Sequence, residues 1–299
     1  MQLTHICDLA VDTLLPSGHA FLSAASGMVA CGSALYVVAD DAQCLGVFDL
    51  EGAAPGRLIP LIAGYLPVDA AERKKRKPDF EILLAVPCAA GIRLLALGSG
   101  STGRRMRGVV VDLPGDDAPA SVRVIDLQSL FAAIVPLVPE INLEGAVLRG
   151  EELLLFNRGN SAHPASQIIA VPLAEVLSGG PITARLRAGL RLPTVSGVPL
   201  TVTDACLLAS GHILLSAAAE ATDNSYADGA LVGAAIVELG ADLAVRRVEP
   251  LDPVLKVEGL SAQIMADGAH LLCVTDADDP DAASGLYRGV LGPPMACAV

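Results

Sequence analysis

KVEGLSAQI (residues 256–264) and INLEGAVLR (residues 141–149) both place an acidic residue and a glycine at the start of a short apolar strand. Five segments of the chain open in a similar way, each with a polar or acidic residue before small apolar residues. They begin at Ser26 (SGMVA), Glu81 (EILLA), Glu144 (EGAVL), Asp204 (DACLL) and Glu258 (EGLSA), 54 to 63 residues apart. A repeat of this length that is built from short strands is typical of β-propeller blades.

Each opening is followed by further strand-like segments at regular spacing. Second strands begin at Leu35, Leu94, Leu153, Ile213 and Leu271, and third strands end at Leu50, Leu113, Leu173, Leu239 and Leu291. Fourth strands fit residues 57–62, 122–127, 184–192 and 245–251, but the fifth repeat lacks one. The N-terminal residues 2–9 resemble these fourth strands and would complete the last blade, which covers an otherwise exposed sheet edge. We therefore predict an all-β, five-bladed β-propeller of four-stranded blades, forming one domain over residues 1–299.

A six-bladed ring with one degenerate blade over residues 51–80 is the alternative architecture. That segment contains one clear strand and then a charged stretch that favours a helical turn. Residues 127–135 and 173–177 are the other short helix candidates, and both lie between blades.

The composition limits the expected partners and location of the protein. The formal net charge is −13 and the pI is about 4.7, so we expect no nucleic-acid and no membrane partner. No apolar run approaches the roughly 18 residues of a membrane span, and no basic segment precedes the apolar N-terminal stretch, as it would in a secretory signal. Seven cysteines without a CxxC pair favour a reducing compartment. We expect a cytoplasmic protein that is a monomer or a weak homo-oligomer.

The residues that open the five repeats are expected to converge on the axis of the propeller. In an up-and-down blade the first strand starts at one mouth of the central channel, so a ring would aim up to four carboxylates and one hydroxyl at that axis. Clustered carboxylates raise one another's pKa or require a cation. Ca²⁺, which takes 6 to 8 oxygen ligands in loose geometry, suits such a ring better than Mg²⁺. The alternative, which the sequence supports equally, is that these residues only hydrogen-bond neighbouring blades or cap the channel through water.

The loops between second and third strands, and the loops that enter the first strands, meet the same mouth. They carry arginine and lysine side chains, which suit a small anionic ligand because arginine gives bidentate contacts to phosphate or carboxylate. The candidate ligand-binding residues are Lys77, Arg104, Arg105, Arg158 and Asn160. The run RKKRK (residues 73–77), taken alone, better fits a solvated loop.

Several familiar catalytic and ligand-binding motifs are not matched by the sequence. GSGSTGRR (residues 98–105) lacks the GK[ST] end of a P-loop, and DADDPD (residues 276–281) lacks the glycine and closing glutamate of an EF-hand. The chain has no GxSxG segment and no histidine pair with zinc-ligand spacing.

The blade openings SGMVACGSALYVVADDAQCLGVFDL and KVEGLSAQI resemble those of the soluble calcium-activated nucleotidases, which are five-bladed propellers of the apyrase family. EGL and EGA openings are also similar to those of phytase-like propellers. The first resemblance implies a central calcium held by Ser26, Glu81, Glu144 and Glu258, with Asp204 where that family has a serine. The whole chain more closely resembles an uncharacterised group of bacterial β-propellers with recurring KPDFE, NLEGA and KVEGL segments, which implies the fold without an activity.

Two hypotheses for function follow, and the sequence leaves both open. In the first, the protein is a calcium-dependent hydrolase of a small anionic or phosphorylated substrate, with Asp204 or Asp40 as the catalytic base. In the second, the central ion is structural and the mouth binds a ligand or a partner protein without turnover. A glycosidase ranks last, because sugar faces are normally gripped by tryptophan and tyrosine and this chain has no tryptophan.

Overall fold

A computed structural model of the protein describes residues 1–50, 54–89, 91–114, 119–223 and 229–292. Cys297, one of the seven cysteines, lies outside these ranges. The six described cysteines are free thiols. Among the described residues, no helix combines the length and the apolar character needed to cross a membrane.

Five four-stranded antiparallel sheets form the blades of a five-bladed β-propeller, as the repeat predicts. From the channel outwards, the strands are Ala25–Cys31, Ala34–Ala39, Cys44–Asp49 and Arg57–Pro60 in blade 1; Phe80–Val86, Ile92–Gly98, Arg107–Leu113 and Ser121–Asp126 in blade 2; Leu143–Arg149, Glu152–Asn157, Ser166–Pro172 and Arg185–Leu190 in blade 3; Thr201–Leu207, Ile213–Ala221, Ala230–Leu239 and Val245–Pro250 in blade 4; and Val257–Met265, Gly268–Thr275, Gly285–Leu291 and Thr4–Asp8 in blade 5.

The N-terminal strand closes the ring, as predicted. Thr4–Asp8 pairs antiparallel with Gly285–Leu291, with Thr4 opposite Arg288 and His5 opposite Tyr287. The six-bladed alternative is wrong, because the described part of residues 51–80 supplies only the outer strand of blade 1, a short helix and the first residue of blade 2.

Short helices lie both between blades and within them. Residues 173–177 were predicted to lie between blades, but the helix there joins the third and fourth strands of blade 3, and the 3₁₀ helix at residues 103–105 joins the second and third strands of blade 2. The α-helices are Ala70–Arg76, Gln128–Ile134 and Leu173–Ser178, and the 3₁₀ helices are Gly103–Arg105 and Val135–Leu137. The helix Ala70–Arg76 starts at Asp69, whose side chain accepts a hydrogen bond from the Glu72 backbone N–H at 2.9 Å. A small hairpin whose two strands have two residues each, Thr194–Val195 and Val198–Pro199, was not predicted.

The hydrophobic core consists of five apolar layers, one between each pair of neighbouring blades. Leu95 of blade 2 and Leu155 of blade 3 are fully buried in one such layer, and Val37 of blade 1 shares another with Val274 of blade 5. Because both faces of each sheet are covered, the second and third strands are continuous apolar runs rather than alternating ones. The five layers hold the inner strands, which are the first strand of each blade, around a central channel.

Candidate functional site

Each inner strand begins with a β-bulge. The register against the second strand shifts across one extra residue in every blade. A bulge breaks the alternation of the strand and changes the direction of that side chain. The bulge residues are Ser26, Glu81, Glu144, Thr203 and Glu258. In the fourth blade this position is therefore Thr203, whereas the sequence interpretation placed Asp204 there.

The two hydroxyl members of this set join neighbouring blades. Ser26 Oγ donates to the carbonyl of Phe80, and Thr203 Oγ1 donates to the carbonyl of Val257 at 2.6 Å. These carbonyls belong to the residues just before Glu81 and Glu258. The hydroxyls therefore fix the strand starts from which two of the three glutamates project.

Asp204 lies one residue beyond the bulge and makes a different contact. Its Oδ2 accepts a hydrogen bond from the Leu260 backbone N–H of blade 5 at 2.7 Å, and burial raises the pKa of this carboxyl well above its ordinary value. The corresponding residue of blade 3 is Gly145, where an added Cβ would lie 2.8 Å from the Ala205 backbone nitrogen. Asp204 thus links blades 4 and 5, and it is not among the residues that line the channel mouth.

The channel mouth is a small, strongly charged cavity of about 90 Å³. Ser26, Glu81, Glu144 and Glu258 line it together, so four residues predicted to be metal ligands share one site. Eight acidic and five basic side chains line the cavity. They are Asp40, Asp79, Glu81, Glu144, Glu220, Glu258, Asp276 and Asp278, with Lys74, Lys77, Arg105, Arg158 and Lys256. Negative charge is therefore in excess.

One chain of ion pairs lies on the side of blades 1 and 2. Lys77 Nζ contacts Asp40 and lies 3.0 Å from Asp79 Oδ1. Arg105 Nη1 donates to Asp79 Oδ2 and to Ser101 Oγ, both at 2.8 Å. Asp79 therefore joins two cations that the sequence interpretation had assigned to ligand binding.

A second chain lies on the side of blades 3, 4 and 5. Arg158 Nη2 donates to Glu220 Oε2 at 2.6 Å, and its Nη1 lies 3.5 Å from Glu144 Oε1. Lys256 Nζ lies 3.0 Å from Glu220 Oε1, 3.3 Å from Glu258 Oε1 and 2.6 Å from Asp278 Oδ1. Two cations thus serve four carboxylates on this side.

The three bulge glutamates keep acceptor capacity that these ion pairs do not use. Glu258 Oε2 is buried and has no hydrogen-bond partner among the described residues. The Glu81 carboxylate accepts no hydrogen bond from any residue that the structure describes. Burial raises the pKa of Glu144 to about 7 and that of Glu258 to about 8. Burial and the nearby Glu144 raise the pKa of Glu81 well above its ordinary value.

A second set of potential ligand atoms overlaps this site. One carboxylate oxygen from each of Asp40, Asp79 and Glu81 lies within 4.8 Å of the others. Lys77 contacts both Asp40 and Asp79 and so already supplies positive charge there. Glu258 Oε2, the buried oxygen without a hydrogen-bond partner among the described residues, does not belong to this set.

The structure brings most of the predicted site residues to the mouth. Asp40, Lys77, Arg105, Arg158 and Asn160 line the cavity with the glutamates. Arg104 is exposed and lies outside it, although its neighbour Arg105 is buried.

Two residues that hold the mouth together were expected on loops at the mouth but were assigned no role in the site. Glu220 and Lys256 are buried and bind each other there. Glu220 carried a signal in the sequence, since it is the one charged residue in the apolar strand Ile213–Ala221.

Fold and site together define a five-bladed propeller with an acidic, ion-paired channel mouth. The chain belongs to a family of unknown function, DUF6929, whose family model matches residues 21–291. No curated protein sequence matches it.

Solved structures with similar folds include several glycoside hydrolases. An exo-β-1,3-galactanase from Phanerochaete chrysosporium is 10% identical with a TM-score of 0.51, over 97% of this chain and 64% of that one. A Bacillus subtilis arabinanase is 12% identical with a TM-score of 0.44, over 95% of this chain and 96% of that one. These identities establish the fold alone. Membership of an uncharacterised propeller family is confirmed, and the resemblance to nucleotidases and phytase-like propellers finds no support in these comparisons.

Proposed function

We propose that this protein is a calcium-binding β-propeller whose channel mouth holds one divalent cation between Glu81, Glu144 and Glu258, with the Ser26 hydroxyl beside them. The observation that carries the proposal is the buried Glu258 Oε2, which has no partner among the described residues although it lies in a cavity lined by excess carboxylates. A buried carboxylate oxygen without a hydrogen bond is costly, and a cation removes that cost.

The donor chemistry favours calcium over the other common divalent ions. All the candidate ligand atoms are carboxylate or hydroxyl oxygens. The thiolate and imidazole ligands typical of zinc sites are not among them. The ligands come from blades 1, 2, 3 and 5, so their spacing is set by the ring. A wide, irregular oxygen site suits Ca²⁺, whereas Mg²⁺ requires a tight octahedron.

Cation binding would also prepare the mouth for a small anionic ligand. Lys256 lies in contact with Glu258 and Glu220, and Arg158 lies in contact with Glu144. A cation that takes over Glu144 and Glu258 leaves these two basic groups with fewer carboxylate partners. We therefore propose that the protein binds a small anion together with the ion, without turnover.

Calorimetric titration of chelator-treated protein tests the metal site. We expect one Ca²⁺ per chain, Mg²⁺ binding at least about tenfold weaker, and loss of Ca²⁺ binding in Glu258→Gln. Glu238→Gln is the matched control, because Glu238, on the third strand of blade 4, is also largely shielded from solvent but pairs with His212 and does not line the mouth. The proposal fails if wild-type protein takes up no Ca²⁺, or if Glu238→Gln and Glu258→Gln behave alike. The bulge residues would then serve only to hydrogen-bond neighbouring blades.

Hydrolysis of a small phosphorylated substrate is the second candidate, favoured by the environment of Asp276. Asp276 lines the mouth, and burial raises the pKa of its carboxyl well above the ordinary value, as suits a general base near neutral pH. Asp40, which the sequence also suggests as a base, is held by Lys77. A bound cation would supply Lewis-acid chemistry, while Arg158 and Lys256 would bind the anion.

An assay with p-nitrophenyl phosphate, nucleoside diphosphates and simple lactones separates the two candidates. If the protein is a hydrolase, we expect turnover that needs Ca²⁺ and falls at least about a hundredfold in Asp276→Asn, the usual size of a general-base effect. Asp278→Asn, a substitution two residues away, should lower turnover much less. Calcium binding without turnover on any of these substrates would leave the binding propeller as the function.

A further inference from the structure

A second cavity, of about 330 Å³, lies against the outer part of blade 1. Asp41 and Arg73 form its polar floor, while their chain neighbours Asp40 and Lys74 line the channel mouth. The two cavities share no lining residue. Ligand pockets for small molecules have volumes of about 300–1,000 Å³, so this cavity is of a suitable size for one.

Arg73 is the unusual residue of this cavity. It is only 7% exposed, and its carboxylate neighbour is Asp41, with Nε 3.5 Å from Asp41 Oδ2. That separation is longer than a good charge-assisted hydrogen bond. Among the described residues, neither of the two Nη groups of Arg73 has a hydrogen-bond partner. A buried guanidinium whose planar fork is unused is a prepared site for a carboxylate, which it binds with two parallel hydrogen bonds.

The walls of the cavity are apolar and come from two segments that flank blade 1. The segment of residues 13–17 contributes Leu14 and Leu15, and the chain after the outer strand contributes Ile62, Tyr65 and Leu66. Tyr65 is 92% exposed and Leu14 is 69% exposed. Large apolar side chains exposed at the rim of a pocket mark a surface that a ligand covers.

We propose that this cavity binds a small organic acid, with its carboxylate on the guanidinium of Arg73 and its apolar body against Leu15, Ile62, Tyr65 and Leu66. A phosphate ester is disfavoured, because Arg73 is the one basic side chain among the lining residues and Asp41 lies beside it. Burial and the charge of Asp40 raise the pKa of the Asp41 carboxyl, so Asp41 repels a monoanion less than an ordinary aspartate would. The site is independent of the calcium site and of any turnover at the channel mouth.

The experiment measures binding of four acids, benzoate, phenylbutyrate, naphthoate and octanoate, each against its own primary amide. We expect saturable one-to-one binding of at least one acid, with its amide at least about tenfold weaker, because only the carboxylate uses the guanidinium fork. Arg73→Met should weaken the binding of that acid at least about tenfold and leave the binding of its amide unchanged.

Two surface variants test the apolar wall without disturbing the core. Tyr65→Ser should weaken the binding of the acid and of the amide alike, by about fivefold, since it removes an apolar side chain that contacts the body of either ligand. Val68→Ser is the control, because Val68 is 68% exposed in the same segment and does not line the cavity. If Arg73→Met does not fold, the comparison of acid with amide and the two surface variants still decide the question. The proposal is overturned if none of the four acids binds, if acid and amide bind equally, or if Val68→Ser weakens binding as much as Tyr65→Ser.

Discussion

Lys256→Met is expected to lower the free energy of unfolding of the metal-free protein by about 3–5 kcal/mol, the range found when one partner of a buried ion pair is removed. Lys256 is 8% exposed, and its ammonium group contacts Glu220, Glu258 and Asp278. Methionine is close to lysine in length and shape, and it removes the charged ammonium group together with its hydrogen-bond donors. Three clustered carboxylates then lose their shared cation.

Urea unfolding followed by circular dichroism measures this loss, since the chain has no tryptophan to report by fluorescence. Lys75→Met is the matched control, because the Lys75 side chain is 61% exposed and pairs with Glu72 on the surface of a helix. Exposed ion pairs contribute roughly 0–1 kcal/mol to the free energy of unfolding. Saturating Ca²⁺ should recover much of the stability of Lys256→Met. Equal losses in the two variants would show that the mouth is not held together by its buried charges.

The stability of the metal-free protein is expected to fall as the pH rises from 5 to 8.5. Glu144 and Glu258 have pKa values of about 7 and about 8 in the folded protein, against an ordinary value of 4.5. The folded state therefore binds protons that the unfolded chain has released. Stability from these groups is complete below the ordinary pKa and is lost as the pH rises through the folded-state pKa. For Glu144, the less shifted of the two, the difference between the folded-state pKa and the ordinary pKa corresponds to roughly 3 kcal/mol. Burial also raises the pKa of the carboxyls of Glu81, Asp204 and Asp276, so these groups add to the loss of stability as the pH rises.

Groups with lowered pKa values act in acid instead. Asp112 and Glu249 have lowered pKa values because they bind Arg93 and Arg247, and these partly exposed pairs add stability that is lost only under acid conditions. The raised pKa of Lys256 acts well above pH 10.

Chemical unfolding in a chelating buffer at several pH values checks the profile. Combined Glu144→Gln and Glu258→Gln substitutions should make the fall shallower, whereas Glu238→Gln should leave its slope intact. A wild-type stability that is constant or rising over this interval would contradict the prediction. Excess Ca²⁺ should remove the fall, because a bound cation favours the charged glutamates.

The repeated apolar strands carried most of the fold prediction. Strand, turn and blade spacing are local or periodic properties, so second strands such as Ala34–Ala39 and Glu152–Asn157 were recognisable from residue order. The closing role of Thr4–Asp8 was also predictable, because the fifth repeat is one strand short and an open edge is unfavourable.

The position of the bulge in each inner strand could not be predicted from the sequence in the same way. In four blades the polar residue of the repeat is the bulge residue, but in blade 4 both Thr203 and Asp204 are polar. A bulge is set by pairing with the second strand. Residue order alone could not decide which of the two it contains.

The partners of the charged residues were decided by the tertiary structure. Lys77, Arg105 and Arg158 have the residue types of an anion site, but each is bound by carboxylates that the fold brings from other blades or loops. Arg73 belongs to a run that looked like a solvated loop and became a buried guanidinium when that loop packed on blade 1.

By itself, the sequence determined the number of blades, the strand that closes the ring and the inner-strand starts at which polar residues gather, because these follow from repeating patterns of side-chain polarity. Only the tertiary structure decided which oxygen of Glu258 lacks a partner, that Thr203 rather than Asp204 occupies the fourth bulge, and that Arg73 faces a pocket. Those facts depend on ångström-scale distances between segments far apart in the chain, which packing sets and local sequence does not encode.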